Sequence, residues 1–284
     1  MPLPHLTQAR APLTREVEVM NQHGLRESIF IPAERDLTVY VDKRELVTLM
    51  TLGGHPEWLV LGYLLNQRLV ASVDDIESIT VDWDVGAASV KTRHGIHSIE
   101  DRTAHKVVTT GCGQGSVFGH LMDDVDSIRL PPDAVLRQSS LYDIVNTIRL
   151  RDTTYKVAGS VHACALFVGG ELQFFVEDVG RHNAVDTIAG WMAMQESLPG
   201  GERVFYTTGR LTSEMVIKSA QMGVPVVVSR SGITQMGLEV AQRVGLCAIG
   251  RATHMRFLCY SHAQRIVFDA VPKPLVVAPV AAVA

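Results

Sequence analysis

Cys112 sits in GCGQG, directly after the strand-like run at 106–110. A thiol set among glycines has no bulky neighbours and is more accessible than one in an apolar strand, which suits a nucleophile or a sulfur carrier. An unperturbed thiol, with a pKa of about 8.5, is mostly protonated at neutral pH, so such a role requires a nearby cation or a helix N-terminus. His105, His120 and the start of SVFGHLM are the local candidates. The alternative is a small residue at a tight turn. Cys164, Cys247 and Cys259 fall inside apolar strand-like runs and read as core thiols.

Four further loops each place an arginine just past a strand-like run: Arg181 in EDVGRHN, Arg210 in YTTGRLTSE, Arg230 in VVVSRSGIT and Arg251 in CAIGRATHMR. Thr208, Ser229 and Ser231 add hydroxyls, and the glycines let a backbone approach closely, so a phosphate or pyrophosphate is the natural guest. Solvated loop tips are the bland alternative, and the fourfold recurrence favours a joint anion site. EDVGRHNAVD supplies Glu177, Asp178, His182, Asn183 and Asp186, either an acid–base set or a polar network that holds the turn. His162 and Cys164 alternate along one strand, but no CxxC follows to complete a deaminase-type zinc site, so no zinc is expected. GCGQG lacks the spacing of a dinucleotide or P-loop turn, and no GxSxG elbow occurs.

These loops need a scaffold. Residues 13–52 hold strand-like runs such as LTVYV and ELVTLM, and HPEWLVLGYLLNQRLV reads as an apolar helix with Pro56 in its first turn. Strands follow at 76–83 and 89–93. The acidic, Pro-Pro-containing stretch DDVDSIRLPPDAV marks a boundary. The predicted organisation is a strand-rich domain over 1–125 ending in the Cys112 loop, a linker over 126–135, an α/β domain over 136–270 and a loose tail over 271–284. In the α/β part, Ser139 is expected to cap a helix reaching about 151, and Gly169-Gly170 to turn a hairpin. Helices at 181–196, 212–222 and 234–244 then alternate with VFYTT, PVVVS and LCAIG, the pattern of a three-layer α/β domain. In such sheets ligands bind beyond the carboxyl ends of the strands, where the arginine loops lie.

The 284 residues carry 26 Lys+Arg against 30 Asp+Glu, a net charge of −4, so nothing in the bulk charge points to a nucleic-acid partner. Four scattered cysteines argue against a disulfide framework and for a reduced, cytoplasmic setting. MPLPHLTQAR offers no signal-peptide core, and no apolar run reaches the ~20 residues of a membrane span.

Taken together, TTGCGQG, GSVHACAL, FVEDVGRHNAVDTIAG, TTGRLTSEMVIKSAQMG, VVVSRSGIT and GRATHMRFLCY resemble the FdhD family of formate dehydrogenase accessory sulfurtransferases. The resemblance runs from about residue 37 to 266. It implies a larger domain with a cytidine-deaminase-like fold but no zinc. It also implies a sulfur relay in the cytoplasm: a cysteine desulfurase loads a persulfide onto a loop cysteine, which passes sulfur to the bis-molybdopterin guanine dinucleotide cofactor before formate dehydrogenase receives it. Cys112 matches the persulfide position. The family's cofactor loop matches Arg251, Ala252, Thr253, His254, Met255 and Arg256, and a GDP-like nucleotide is the expected mimic of the cofactor. Arg210, Arg230, Arg251 and Arg256 are the expected phosphate contacts, with Ser229, His182 and Asp178 completing the pocket. A homodimer is implied. One departure is plain: many members carry CxxC in the loop, whereas Gly115 stands at the second cysteine's place. A non-catalytic chaperone that binds the cofactor is the rival reading, and a degenerate nucleoside deaminase a third.

Overall fold

A computed structural model describes residues 2–96, 107–108, 115–116 and 125–271. In chain order the elements are β1 (His5–Leu6), β2 (Thr14–Met20), β3 (Arg26–Pro32), β4 (Arg35–Val41), β5 (Arg44–Thr51), α1 (Pro56–Asn66), β6 (Ile76–Asp82), β7 (Ala87–Thr92), β8 (Val107–Val108) and β9 (Gly115–Ser116). They continue with β10 (Leu136–Arg137), α2 (Gln138–Leu150), α3 (Thr154–Ala158), β11 (His162–Val168), β12 (Glu171–Asp178), α4 (Arg181–Ala193) and β13 (Arg203–Thr207). The last are α5 (Ser213–Gln221), β14 (Val226–Ser229), α6 (Gln235–Val244), β15 (Cys247–Thr253), β16 (Arg256–Ser261) and β17 (Ile266–Val267).

Two sheets organise this mixed α/β fold. The first has the order β1-β6-β7-β4-β5. Its period-two pattern is clear in β4, where Leu37, Val39 and Val41 point into a core closed by Leu59, Val60, Leu61 and Leu64 of α1. The second sheet has the order β12-β11-β13-β14-β15-β16, parallel across β13-β14-β15 and antiparallel outside them. Its two faces carry separate cores. Leu166, Phe205, Val227 and Ala248 meet α4, α5 and α6 on one side, while Ala165, Val204, Val228 and Ile249 meet α2 on the other. The helices on both faces explain why VVVS is apolar throughout rather than alternating.

The two sheets are joined through α1 and α4. A Cβ on Gly62 would lie 1.7 Å from the Asp186 carbonyl oxygen, and one on Gly190 would lie 1.9 Å from that of Trp58. Only two glycines facing each other allow so close a backbone crossing. Asn66 then donates to Asp186 at 2.7 Å across the same junction.

Local signals survive with small corrections. Gly169 and Gly170, both at positive φ, turn the β11–β12 hairpin as expected. Helix α2 begins at Gln138, and its first turn is held from outside: the Asp269 carboxylate accepts from the amide and hydroxyl of Ser139, which therefore does not act as the N-cap. Helix α4 ends at Ala193 rather than 196. The stretch 126–135 is tied down: Arg243 pairs with Asp126, and buried Arg265 donates to the carbonyls of Pro131, Pro132 and Ala134. The Cys112 loop and residues 272–284 lie outside the described residues.

Candidate functional site

At the carboxyl ends of β13, β14 and β15 a cavity of about 580 Å³ opens on the α2 face of the second sheet. Loops after parallel strands must leave the sheet here, and their polar residues are what the cavity presents. Arg230 enters after β14, Ala252, Thr253 and His254 from the end of β15, and Thr208 after β13. His162 and Glu177 come from the paired ends of β11 and β12, which stand next to each other in register with Asp178 and Ala163. Arg149 at the end of α2 and Lys156 on α3 complete the rim.

Each wall has a mechanical cause. Glu177 accepts from the amides of Thr154 and Tyr155 and so fixes the start of α3, which carries Lys156. Thr208 Oγ1 accepts from the Ala163 amide at 2.9 Å, pinning β13's exit to β11. Buried Ser229 donates to the Gly209 carbonyl at 2.7 Å and accepts from the Ser231 amide at 2.9 Å, so it braces loops rather than facing a guest. The Arg251 amide donates to the Ser231 carbonyl at 2.7 Å, which ties the late loop to the Arg230 loop. Arg251 and His254 hold φ values of 52° and 50°, a left-handed backbone that costs L-residues roughly 1 kcal/mol each and shapes this turn.

Electrostatically the cavity favours an anion. Arg149, Lys156 and Arg230 face one carboxylate, Glu177, which is already engaged with helix amides. Burial, with Arg181 and Arg210 nearby, pushes His162 below the usual imidazole range, so it is neutral there. Burial pushes the Tyr206 phenol up to about 12, leaving it a hydrogen-bond donor.

The predicted residues separate into three places. Arg230, Ala252, Thr253 and His254 line this cavity. Arg251, Met255 and Arg256 line a neighbouring one of about 630 Å³ with Tyr142 and Phe257, on the other side of the same turn. Exposed Arg210 belongs to neither lining. Asp178 and His182 are buried behind the sheet end. Asp178 accepts from Thr51 Oγ1, the Leu52 and Gly180 amides and Asn183 Nδ2, so it joins the first sheet to the second. His182 lies 3.4 Å from Glu214 Oε2, and burial outweighs that carboxylate, lowering the imidazole to about 3. It is therefore neutral. Of the two readings of EDVGRHNAVD, these contacts are those of a structural network. Arg149, Thr153 and Lys156 are additions the sequence reading did not single out; RLRDTTYK, a polar and basic cluster between a helix and a strand, was their only signal. Among the described residues no group of three or more His, Cys, Asp or Glu side chains is arranged to hold a metal ion, and no helix is long and apolar enough to cross a membrane.

Fold and cavity together define a two-sheet α/β protein with a cationic cleft at the carboxyl ends of its parallel strands. Residues 32–267 match the FdhD/NarQ family model, and the chain belongs to that family. Curated relatives include the "Sulfur carrier protein FdhD" of Saccharolobus solfataricus, 28% identical over 256 residues, covering 88% of this chain and 96% of that one. The protein of the same name from Bacillus pumilus is also 28% identical over 256 residues, covering 86% and 95%. The fold is similar to a crystal structure of a proposed formate dehydrogenase accessory protein from Desulfotalea psychrophila, with a TM-score of 0.71 and 24% identity, covering 90% of this chain and all of that one.

Proposed function

We propose that the protein is a cytoplasmic sulfur carrier serving formate dehydrogenase, with Cys112 as the persulfide carrier and the molybdenum cofactor as its acceptor substrate. The observation that carries the acceptor half is the cationic cleft: Arg149, Lys156 and Arg230 line it at the ends of the parallel strands, and a guanine dinucleotide supplies the matching pyrophosphate. The carrier half rests on family membership and on the relatives named as sulfur carriers. Arg251 and Arg256, beside the cleft, are positioned to extend the phosphate contacts along the dinucleotide. The cysteine desulfurase is the donor partner: its persulfide's outer sulfur is attacked by the Cys112 thiolate, the S–S bond of the donor breaks, and the donor leaves as a thiolate. A homodimer is part of the proposal.

Two measurements test it separately. Incubation with a cysteine desulfurase and cysteine should place one extra sulfur on the peptide containing Cys112, and Cys112→Ser should abolish it. An unmodified Cys112 with an active desulfurase favours the non-catalytic cofactor chaperone, a reading that Gly115 in place of a second loop cysteine already supports. Calorimetric titration with GDP should detect binding that Arg230→Ala weakens by roughly tenfold or more, the cost of a lost charge-assisted hydrogen bond. Unchanged affinity would remove Arg230 from the site.

A further inference from the structure

Cys247 on β15 and Cys259 on β16 bring their sulfurs to 3.8 Å. Cys259 stands opposite Ile249 in the antiparallel register, so it lies one side-chain repeat from Cys247 on the same face of the sheet. Cys247 is buried and Cys259 half-buried, which gives a small oxidant access to one sulfur and shields the other. The pairing is asymmetric in chemistry too. The hydrogen bond between them lowers the Cys259 thiol and raises that of Cys247, with burial adding to the latter, so Cys259 is the more acidic of the two. A disulfide needs an S–S distance of about 2.05 Å, so the sulfurs must approach by about 1.8 Å, and a register shift at Ala248/Ile249 lies between Cys247 and the residue opposite Cys259.

We propose that Cys247 and Cys259 are a peroxide-responsive dithiol that closes to a disulfide across β15 and β16. The Cys259 thiolate attacks one oxygen of hydrogen peroxide, the O–O bond breaks, hydroxide leaves and Cys259 becomes a sulfenic acid. The Cys247 sulfur then attacks the Cys259 sulfur and the S–O bond breaks; the departing hydroxide takes the Cys247 proton as water. Two thiols are oxidised and one peroxide is reduced to two waters. The cross-link pins together the two strands that run into the turn at 254–255. This chemistry is independent of the role proposed for Cys112.

The test treats the full-length protein with a small excess of hydrogen peroxide, alkylates the remaining thiols, and reads intact mass and a peptide map. The expected result is a loss of two hydrogens, a linked peptide pair joining Cys247 to Cys259, and reversal of both by dithiothreitol. Cys259→Ser should lose the linked pair while keeping its circular dichroism spectrum and a cooperative thermal transition. Should Cys247→Ala fail to fold, the half-buried Cys259 position still provides this control. Peroxide that leaves both thiols alkylatable, drives Cys259 to a sulfinic acid, or links either cysteine elsewhere overturns the proposal.

Discussion

Lys218 is the least solvated cation in the described protein, and it is held by two carboxylates. Its ammonium lies 2.9 Å from Asp186 Oδ2 and 3.3 Å from Glu214 Oε1, all three essentially without solvent contact. Burial opposes the charge, but Asp186 and Glu214 outweigh it and hold Lys218 above the ordinary lysine range. Removing one member of such a group strands the other charges, which typically costs about 3–5 kcal/mol. Lys218→Met should therefore lower the urea unfolding free energy by that amount; a loss near zero would show that the carboxylates are not buried as charges. His182 adds a pH term. Its folded pKa, about 3, lies below its ordinary 6.5, so between these values the unfolded chain binds the extra proton. Stability from this group is present above about 6.5 and is lost as pH falls toward about 3, at up to ~1.4 kcal/mol per pH unit. Burial raises Asp178 and Asp186, which act in the opposite sense because the folded state protonates them first. The clean readout is thus the difference between the wild type and His182→Gln. The variant should lose less stability between pH 6.5 and pH 4, and parallel curves would refute the neutral, buried imidazole.

At the scale of elements, the crossing of α1 and α4 rests on Gly62 and Gly190 rather than on complementary side chains. A methyl at Gly62 would overlap the Asp186 carbonyl, a backbone atom that a rotamer change cannot move aside. Gly62→Ala should cost about 3 kcal/mol or more by forcing the helices apart. Gly24→Ala is the control: with φ at +72° and nothing within 4 Å, it should cost only about 1 kcal/mol through backbone strain. Equal losses in the two variants, measured by chemical denaturation, would show that the crossing tolerates separation. The sequence marked both helices, an apolar one from Pro56 onward and a second from Arg181 onward. It did not mark their contact, because glycines in a helix look locally like weaknesses and become useful only when another backbone arrives. Glu214 and Lys218 were similarly readable as an i, i+4 pair on α5, yet such spacing normally denotes a solvated face.

The whole molecule carries a net negative charge while its cleft gathers Arg149, Lys156 and Arg230, so attraction of an anion is local and not a property of the overall field. GDP affinity should accordingly fall as sodium chloride is raised, with a shallower slope in Arg230→Ala than in the wild type; identical slopes would deny that Arg230 meets a phosphate. Sequence by itself determined the mixed α/β class, the order of helices and strands between about 160 and 250, and the motifs that carry the family resemblance. Those features depend on short-range periodicity, turn chemistry and residue identity, which a linear chain displays directly. Tertiary structure decided which predicted residues share a cavity. It put Arg230 with Thr253 and His254, turned Arg251 and Arg256 to the other side of their turn, and withdrew Asp178 and His182 into the junction of the two sheets. It also brought Cys247 to Cys259 and Lys218 to Asp186. Such pairings depend on strand register, helix crossing and side-chain direction, quantities fixed only when distant segments pack, so no local pattern could encode them.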